Sequence, residues 1–199
     1  MFDIICCDPP WTHHVWPAAR GEGRTSQSHY DCLTQEELEA LDIKSKLAAK
    51  DCVLFLWTTG PQMQNALKLI AAWGFQFKTI AFTWVKQNKK SSSLFWGMGH
   101  YTRANPEFCL LATRGKTLKR MSKSVHSIIQ SPIGKHSEKP TEIFSRIDAL
   151  FGDNLSKIEL FARRQPPTAG WQATGLEWDG LDIREFISIG NKCLAGGTV

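Results

Sequence analysis

The residues best equipped for chemistry stand at the amino end, in the run Phe2-Asp3-Ile4-Ile5-Cys6-Cys7-Asp8-Pro9-Pro10-Trp11. An apolar segment stops at one acid, two prolines and a tryptophan. Asp8 offers a carboxylate. Pro9 and Pro10 have no backbone N–H, so their carbonyls accept hydrogen bonds without a competing donor alongside. Trp11 adds a flat apolar face. Together these groups make a holder for a planar base that carries an amino group. The plainer reading is an Asp-Pro turn with Trp11 in the core, and a lone Asp-Pro pair would favour it. The whole tetrad, placed directly after an apolar run, is much rarer by chance.

A holder of this kind works only if the acid is fixed. Phe2 to Cys7 is short and apolar, which suits an interior strand. The prolines cannot donate to a sheet ladder, so the strand ends before them. Asp8 is thereby expected at the carboxyl edge of a sheet, where open α/β folds place their ligands.

The following residues supply the rest of such a fold. Thr12 to Tyr30 is polar and aperiodic, with Gly21, Gly23, Arg20 and Arg24, and reads as a long mobile lid or binding loop. Thr34-Gln35-Glu36-Glu37 is a capping box, and Leu38, Leu41 and Leu47 form a helical face behind it. Cys52 to Trp57 reads as a second buried strand. A helix over 62–73 has Met63, Ala66, Leu67 and Ile70 on one side and Gly74 at its end. Strands follow over 77–85 and 107–113, so strand, helix, strand indicates a parallel sheet with crossover helices. A short strand is expected within 124–130. A helix opens at His136-Ser137-Glu138-Lys139-Pro140 with Pro140 in its first turn, and carries Ile143, Phe144, Ile147 and Leu150 to a stop at Gly152. Lys157 to Phe161 is a further strand, 171–180 is irregular, and a short helix or strand follows Arg184. These elements make one α/β domain over 1–185, a mostly parallel sheet flanked by helices, with a partly flexible tail over 186–199.

Between the third and fourth strands, Lys86 to Arg103 mixes Lys86, Lys89 and Lys90 with Phe95, Trp96 and Tyr101 among glycines. Cations pair with phosphates and rings stack on unpaired bases, so this loop suits a nucleic-acid strand. The basic run Arg114, Lys116, Lys119, Arg120 and Lys123 extends that character, with a solvated face as an equal reading. A net charge of +5 favours an anionic partner only weakly. The six cysteines make no Cys-x-x-Cys pair, so no metal site or disulfide scaffold is expected and reduced cytoplasmic thiols are the default. No apolar stretch is long enough for a bilayer, and an acid at position 3 is unlike a signal peptide. No Gly-x-Gly-x-x-Gly fingerprint is present, which disfavours a generic nucleotide-binding module.

The Asp-Pro-Pro-Trp tetrad resembles the signature of the adenine-N6 methyltransferases, in the family that includes the catalytic subunit of the eukaryotic mRNA adenine methyltransferase. Further blocks of the likeness follow in order: Tyr30, Gly99-His100-Tyr101-Thr102-Arg103, Glu107 to Gly115, His136 to Pro140, Glu159 to Arg163, and Trp171 with Gly175. The resemblance implies a single Rossmann-like methyltransferase domain in which the catalytic strand precedes the cofactor strand, a rotated motif order. It implies S-adenosylmethionine as cofactor and no metal. Under it, Asp8, Pro9, Pro10 and Trp11 are catalytic, with Asp8 also beside the cofactor. The Asp8 carboxylate and the Pro9 carbonyl accept from the adenine amine, and Trp11 and Tyr30 sandwich the extruded base. Lys139 holds the cofactor carboxylate, Phe161 and Arg163 line its nucleoside, Glu159 pairs with a cation or contacts the cofactor, and Glu177 accepts from the ribose hydroxyls. Arg20, Arg24, Lys86, Lys89, Lys90, Tyr101 and Arg103 are the candidate nucleic-acid contacts.

Two departures stand out. The adenine-contacting segment that often precedes the catalytic strand has no counterpart before Phe2, and the polar pair after the Trp-x-x-x-Gly turn is Leu176-Glu177. Both leave the adenine pocket of the cofactor open. DNA is the favoured substrate because no RNA-binding appendage is visible. The same chemistry on RNA comes next, and cytosine-N4 transfer is less favoured. A non-catalytic nucleic-acid-binding partner of an active subunit is the reading from another class, and a second copy of the chain stays open as a partner.

Overall fold

The computed structural model describes residues 1–11, 32–99, 101–134 and 138–193. The expected lid over 12–30, with Arg20, Arg24 and Tyr30, therefore lies outside the described residues, as do His100, His136 and Ser137.

β1 (Phe2–Cys7) forms because nearly every residue in it is apolar, and it is buried on both faces. Alternate residues divide the core. Ile5 and Cys7, with Leu54 and Leu56 of β2 (Ala48–Thr58), face one apolar layer. Ile4 and Cys6, with Val53, Phe55 and Trp57 of β2, face the other. The first layer is covered by α1 (Gln35–Glu39), α2 (Ile43–Lys46), α3 (Met63–Ala72) and α5 (Ile183–Cys193), through Leu38, Ile43, Ala66, Leu69 and Ile183. The second is covered by α4 (Glu142–Phe151), through Ile143, Phe144 and Ile147. A strand sealed on both sides explains why its sequence runs continuously apolar instead of alternating.

β3 (Gln76–Gln87), β4 (Glu107–Arg114), β5 (Ile128–Pro132), β6 (Lys157–Leu160) and β7 (Trp171–Thr174) complete a seven-stranded sheet in the order β5-β3-β4-β2-β1-β6-β7. Four of its six pairings are parallel and two, those of β4 with β2 and β3, are antiparallel. β1 leads through α1 and α2 to β2 on one side, and its other neighbour β6 leads to β7 on the opposite side. The β1/β6 boundary is thus the topological switch point, where an open α/β sheet leaves a crevice. The ends of β1, β2, β3, β5, β6 and β7 and the start of β4 share one rim, so Asp8, Lys86, Glu107 and Phe161 gather there.

Several elements differ from the sequence expectation. The capping box holds, with Glu37 N–H donating to Thr34 Oγ1 and Thr34 N–H to Glu37 Oε2. The helix it opens ends at Glu39, however, and Asp42 caps a separate short α2. On α3 the buried side chains are Ala66, Leu69 and Ile70, while Leu67 falls at the edge and is exposed. Pro140 precedes α4 rather than entering it: Ile143 N–H reaches the Pro140 carbonyl in a lead-in turn, and Arg164 Nη2 donates to the Lys139 carbonyl to hold the segment off the helix axis. Trp171–Thr174 is an edge strand rather than irregular, paired with β6. The short helix or strand expected after Arg184 is a helix, α5, and its Phe186 and Ile187 pack on the core. The basic run from Arg114 onward is parted from the Lys86 loop because β4, eight residues long, carries the chain from one rim to the other, about 26 Å. There Arg114 Nη1 serves the Lys44 and Ala48 carbonyls.

Among the described residues no helix is long and apolar enough to cross a membrane. Cys6, Cys7, Cys52 and Cys109 are buried free thiols.

Candidate active site

Asp8 is the first residue past β1, one step beyond the Cys7 pairings with Leu56 and Leu160. Its Oδ2 accepts from Lys139 Nζ at 2.6 Å. The same ammonium lies 3.1 Å from Glu107 Oε2, and Glu107 Oε1 accepts from Lys86 Nζ at 2.5 Å. Four charges of alternating sign thus run from the β1 tip to the end of β3. The Lys139 ammonium also stands 6.0 Å from the Trp57 ring centroid. Burial alone would neutralise Lys139, but Asp8 and Glu107 outweigh it and raise its pKa above that of a free lysine. Burial likewise opposes ionisation of Glu107, and the ammoniums of Lys139 and Lys86 overcome it and lower its pKa. Lys139 and Glu107 are thereby both held in their charged forms.

Glu159 faces the same notch, where nearby cations do not offset its burial. Burial first, and the charge of Asp8 second, push its carboxyl up to about 8, against smaller opposing pulls from Lys139 and Arg163. A carboxyl near 8 can give or take a proton at physiological pH, or welcome a cation.

The β6 exit is shaped by backbone. Phe161 has φ +59°, a left-handed conformation that bulky residues rarely adopt and that often marks a functional turn. Gly175, just past β7, lies against it. A Cβ there would come within 2.4 Å of the Ala162 carbonyl oxygen, so only glycine fits. Ala162 N–H donates to the Thr174 carbonyl, and Asp179 Oδ1 accepts from both Gly175 and Leu181 N–H. This clamp sets Glu177 beside Arg163, with Arg163 Nε 3.5 Å from Glu177 Oε1.

Two adjoining hollows open at the switch point and share Asp8, Phe161 and Arg163. The narrower spans about 380 Å³, open solvent included, and adds Trp57, Lys139 and Glu159. The broader cleft, about 1280 Å³ and open to solvent, adds Pro10, Cys32, Leu33, Gly175 and Glu177. The structure therefore brings together all six residues expected around a cofactor: Asp8, Lys139, Glu159, Phe161, Arg163 and Glu177.

Other expectations fare differently. Trp11 does not offer a free face: it is 6% exposed, its indole N–H donates to the Trp57 carbonyl, and it bridges to Leu33 in the core. The apolar ring gains more from the core than from water, so Asp8 and Pro10 are the tetrad's surface in the cleft. The Pro9 and Pro10 carbonyls already accept from Trp11 and Leu33 N–H, each with a second lone pair left. Lys86 is no surface cation, since its ammonium is committed to Glu107 and lies 5.2 Å from the Trp84 ring. Lys89, Lys90, Tyr101 and Arg103 are exposed. Glu107 was expected only to open a strand, so its place in this charge chain was missed. An acid directly after Asn105-Pro106 and heading a buried strand was the available signal. Among the described residues no group of three or more His, Cys, Asp or Glu could hold a metal.

Residues 2–177 match the family model described as MT-A70. The type II methyltransferase M.MunI of Mycoplasma sp is 36% identical over 191 residues, covering 88% of this chain and 77% of that protein. A probable N(6)-adenosine-methyltransferase MT-A70-like protein of Oryza sativa is 26% identical over 92% of this chain, which spans only 24% of that relative's length. The N(6)-adenine-specific methyltransferase METTL4 of Mus musculus is 26% identical over 96% of this chain and 41% of its own.

Proposed function

Because this chain belongs to the MT-A70 family over residues 2–177, we propose that it transfers a methyl group from S-adenosylmethionine to the exocyclic N6 amine of adenine in DNA. The observation that carries this reading is the meeting of Asp8 and Lys139 at the β1/β6 crevice, in hollows shared with Phe161 and Arg163. DNA is favoured over RNA because M.MunI is matched over most of its own length, whereas the MT-A70-like protein is matched over about a quarter.

The residues present fit the cofactor. Its amino-acid end needs a cation for the carboxylate and an anion for the ammonium; Lys139 and Glu159 line the narrow hollow as that pair. Its ribose needs an acceptor for two hydroxyls; Glu177 lines the broad cleft in that role, held by Arg163. Gly175 and the left-handed Phe161 let the backbone approach closely. When bound, S-adenosylmethionine supplies an electrophilic methyl group on a sulfonium.

The remaining chemistry belongs to Asp8 and its neighbours. The adenine amine is a poor nucleophile because its lone pair is delocalised into the ring. Lys139 holds Asp8 by Oδ2, which leaves Oδ1 to accept one N–H of the amine while the Pro9 carbonyl accepts the other. Both acceptors favour a tetrahedral nitrogen whose lone pair points into the narrow hollow. Asp8 need not be a strong base, because the amine becomes acidic only as the new bond forms; the proton then passes to Asp8 and to water. Most of the acceleration comes from alignment by a rigid rim. The base lies against Pro10, and in duplex DNA it must first leave the stack, at a cost of about a few kcal/mol.

Purified protein with labelled cofactor should methylate adenine in double-stranded DNA, and Asp8→Ala should lower the rate by about a hundredfold or more. Label retained at the wild-type rate in Asp8→Ala would remove Asp8 from the chemistry. Transfer to RNA and not to DNA would replace the substrate and keep the mechanism.

A further inference from the structure

The loop between β3 and β4 carries a feature that methyl transfer itself does not use. Its root is unusually well tied. Asn105 Oδ1 accepts from Lys86 N–H, and its Nδ2 donates to the Lys86 and Phe95 carbonyls. Gly97 N–H donates to the Ala104 carbonyl at 2.7 Å. The two sides of the ribbon run so close that a Cβ at Gly97 would lie 2.9 Å from the Ala104 oxygen, and one at Gly99 would lie 2.3 Å from the Thr102 oxygen. A braced, narrow ribbon of this kind would be expected to fold its apolar groups inward. Here Trp96 is 59% exposed, Met98 87% and Tyr101 fully exposed. Lys89, Lys90 and Arg103 flank them, also exposed. The ribbon stands on Lys86 and Glu107, and Glu107 shares the Lys139 ammonium with Asp8, so this apolar tip rises from the same rim as the catalytic acid.

We propose that this ribbon is a wedge for duplex DNA: Trp96, with Met98 beside it, enters the base stack next to the target adenine and occupies the space the adenine leaves when it turns toward Asp8. The inference rests on the proposed adenine methylation and adds how a paired base becomes available. An apolar wedge between base steps recovers part of the unstacking cost, and it needs a stiff backbone and cations for the flanking phosphates. The Asn105 brace, the close-packed glycines and the three flanking cations supply both. A surface that only gripped single strands would have no use for a stiff apolar tip, since base–ring stacking tolerates flexible loops.

The wedge is tested by Trp96→Ala on three forms of one DNA, carrying a site found methylated in cells that express the protein: the fully paired duplex, the same duplex with an abasic position opposite the target adenine, and the single strand. The wedge predicts that kcat/KM on the paired duplex falls about tenfold or more, since a few kcal/mol of flipping cost then goes uncompensated. The other two forms should lose several-fold less. In the wild type, 2-aminopurine at the target position should brighten on binding, and in Trp96→Ala it should stay quenched. Equal losses on all three forms, or no loss on the paired duplex, would overturn the wedge while leaving methylation standing. A wild type that methylates none of them would take down the functional reading itself. Met98→Ser, at a more exposed position, repeats the test should Trp96→Ala disturb folding, and cofactor binding checks that each variant is folded.

Discussion

Two lysines sit against carboxylates at 2.6 Å in this molecule, and they do opposite work. Lys157 opens β6 at the amino rim, and its side chain is wholly buried. Its ammonium meets Asp148 Oδ1, which also accepts from the Trp171 indole, and lies 5.9 Å from that ring. That cluster borders neither hollow at the switch point. Lys139, at the carboxyl rim, meets two carboxylates, borders a hollow and retains 12% side-chain exposure. The two sites share an ion pair and differ in what is left over. At Lys157 the ammonium and Asp148 Oδ1 pair among α4, β6 and β7 and fix the packing of those elements, and Asp148 Oδ2 is left buried without a hydrogen-bond partner among the described residues. At Lys139 the chain of charges ends in Asp8, beside open space. A buried ion pair is thus not a functional signal in itself; the cleft beside it is.

The sharpest way to separate the two is to break the closed one. Lys157→Met leaves the Asp148 carboxyl buried without its cation, which should cost about 3–5 kcal/mol of stability, read by urea unfolding. Methyl transfer per folded molecule should be unchanged. Adding Asp148→Leu should recover much of the loss, because a well-packed apolar pair often matches a buried ionic one. If Lys157→Met instead lowered turnover while stability held, the division between the sites would fail.

The open site should respond in the other sense. Lys139→Ala removes a charge-assisted bond of about 1.5–3 kcal/mol, so affinity for S-adenosylmethionine should fall roughly tenfold to a hundredfold. DNA binding, measured separately by fluorescence anisotropy, should change much less. A larger loss of DNA affinity than of cofactor affinity would overturn the role proposed for Lys139.

What the sequence disclosed follows the range of the forces involved. β1 and its end were legible because an apolar run and two prolines are local, and the capping box at Thr34 and the stop at Gly74 are local too. The position of Asp8 at the rim followed from those features alone. Lys139, Phe161 and Arg163 came from matched motifs, whereas Glu159 stood out as an acid within an apolar strand and Glu177 as an acid just past Gly175. The Lys86–Glu107 bond spans 21 residues and depends on β3 and β4 being antiparallel neighbours, which no local pattern encodes. Trp11 was misplaced because a tryptophan beside an acid looks the same in sequence whether its ring faces a cleft or the core. β7 was missed because Trp-Gln-Ala-Thr is too short and polar to show alternation; β6 pairs with it and makes it a strand.

The smallest effect tests the polarity of the open site through pH. The Glu159 carboxyl is raised to about 8 by burial and by Asp8. An unfolded chain would release that proton near 4.5. A raised carboxyl contributes its stability in full below the unfolded value, and that contribution is lost as pH rises toward about 8. Glu159→Gln keeps the neutral form at every pH. The variant should therefore melt close to the wild type near pH 4.5, pull ahead as pH climbs, and hold a constant lead above about 8. The carboxyl borders a hollow where water screens it, so a lead of about 1 kcal/mol is expected, or about 2–4 °C for a chain of this size. Cofactor affinity should move the other way, since Gln offers no charge to the ammonium of S-adenosylmethionine. A melting difference that stayed flat between pH 5 and 8 would mean that Glu159 is already ionised, and that the closed and open sites differ less in their leftover charge than their geometry indicates.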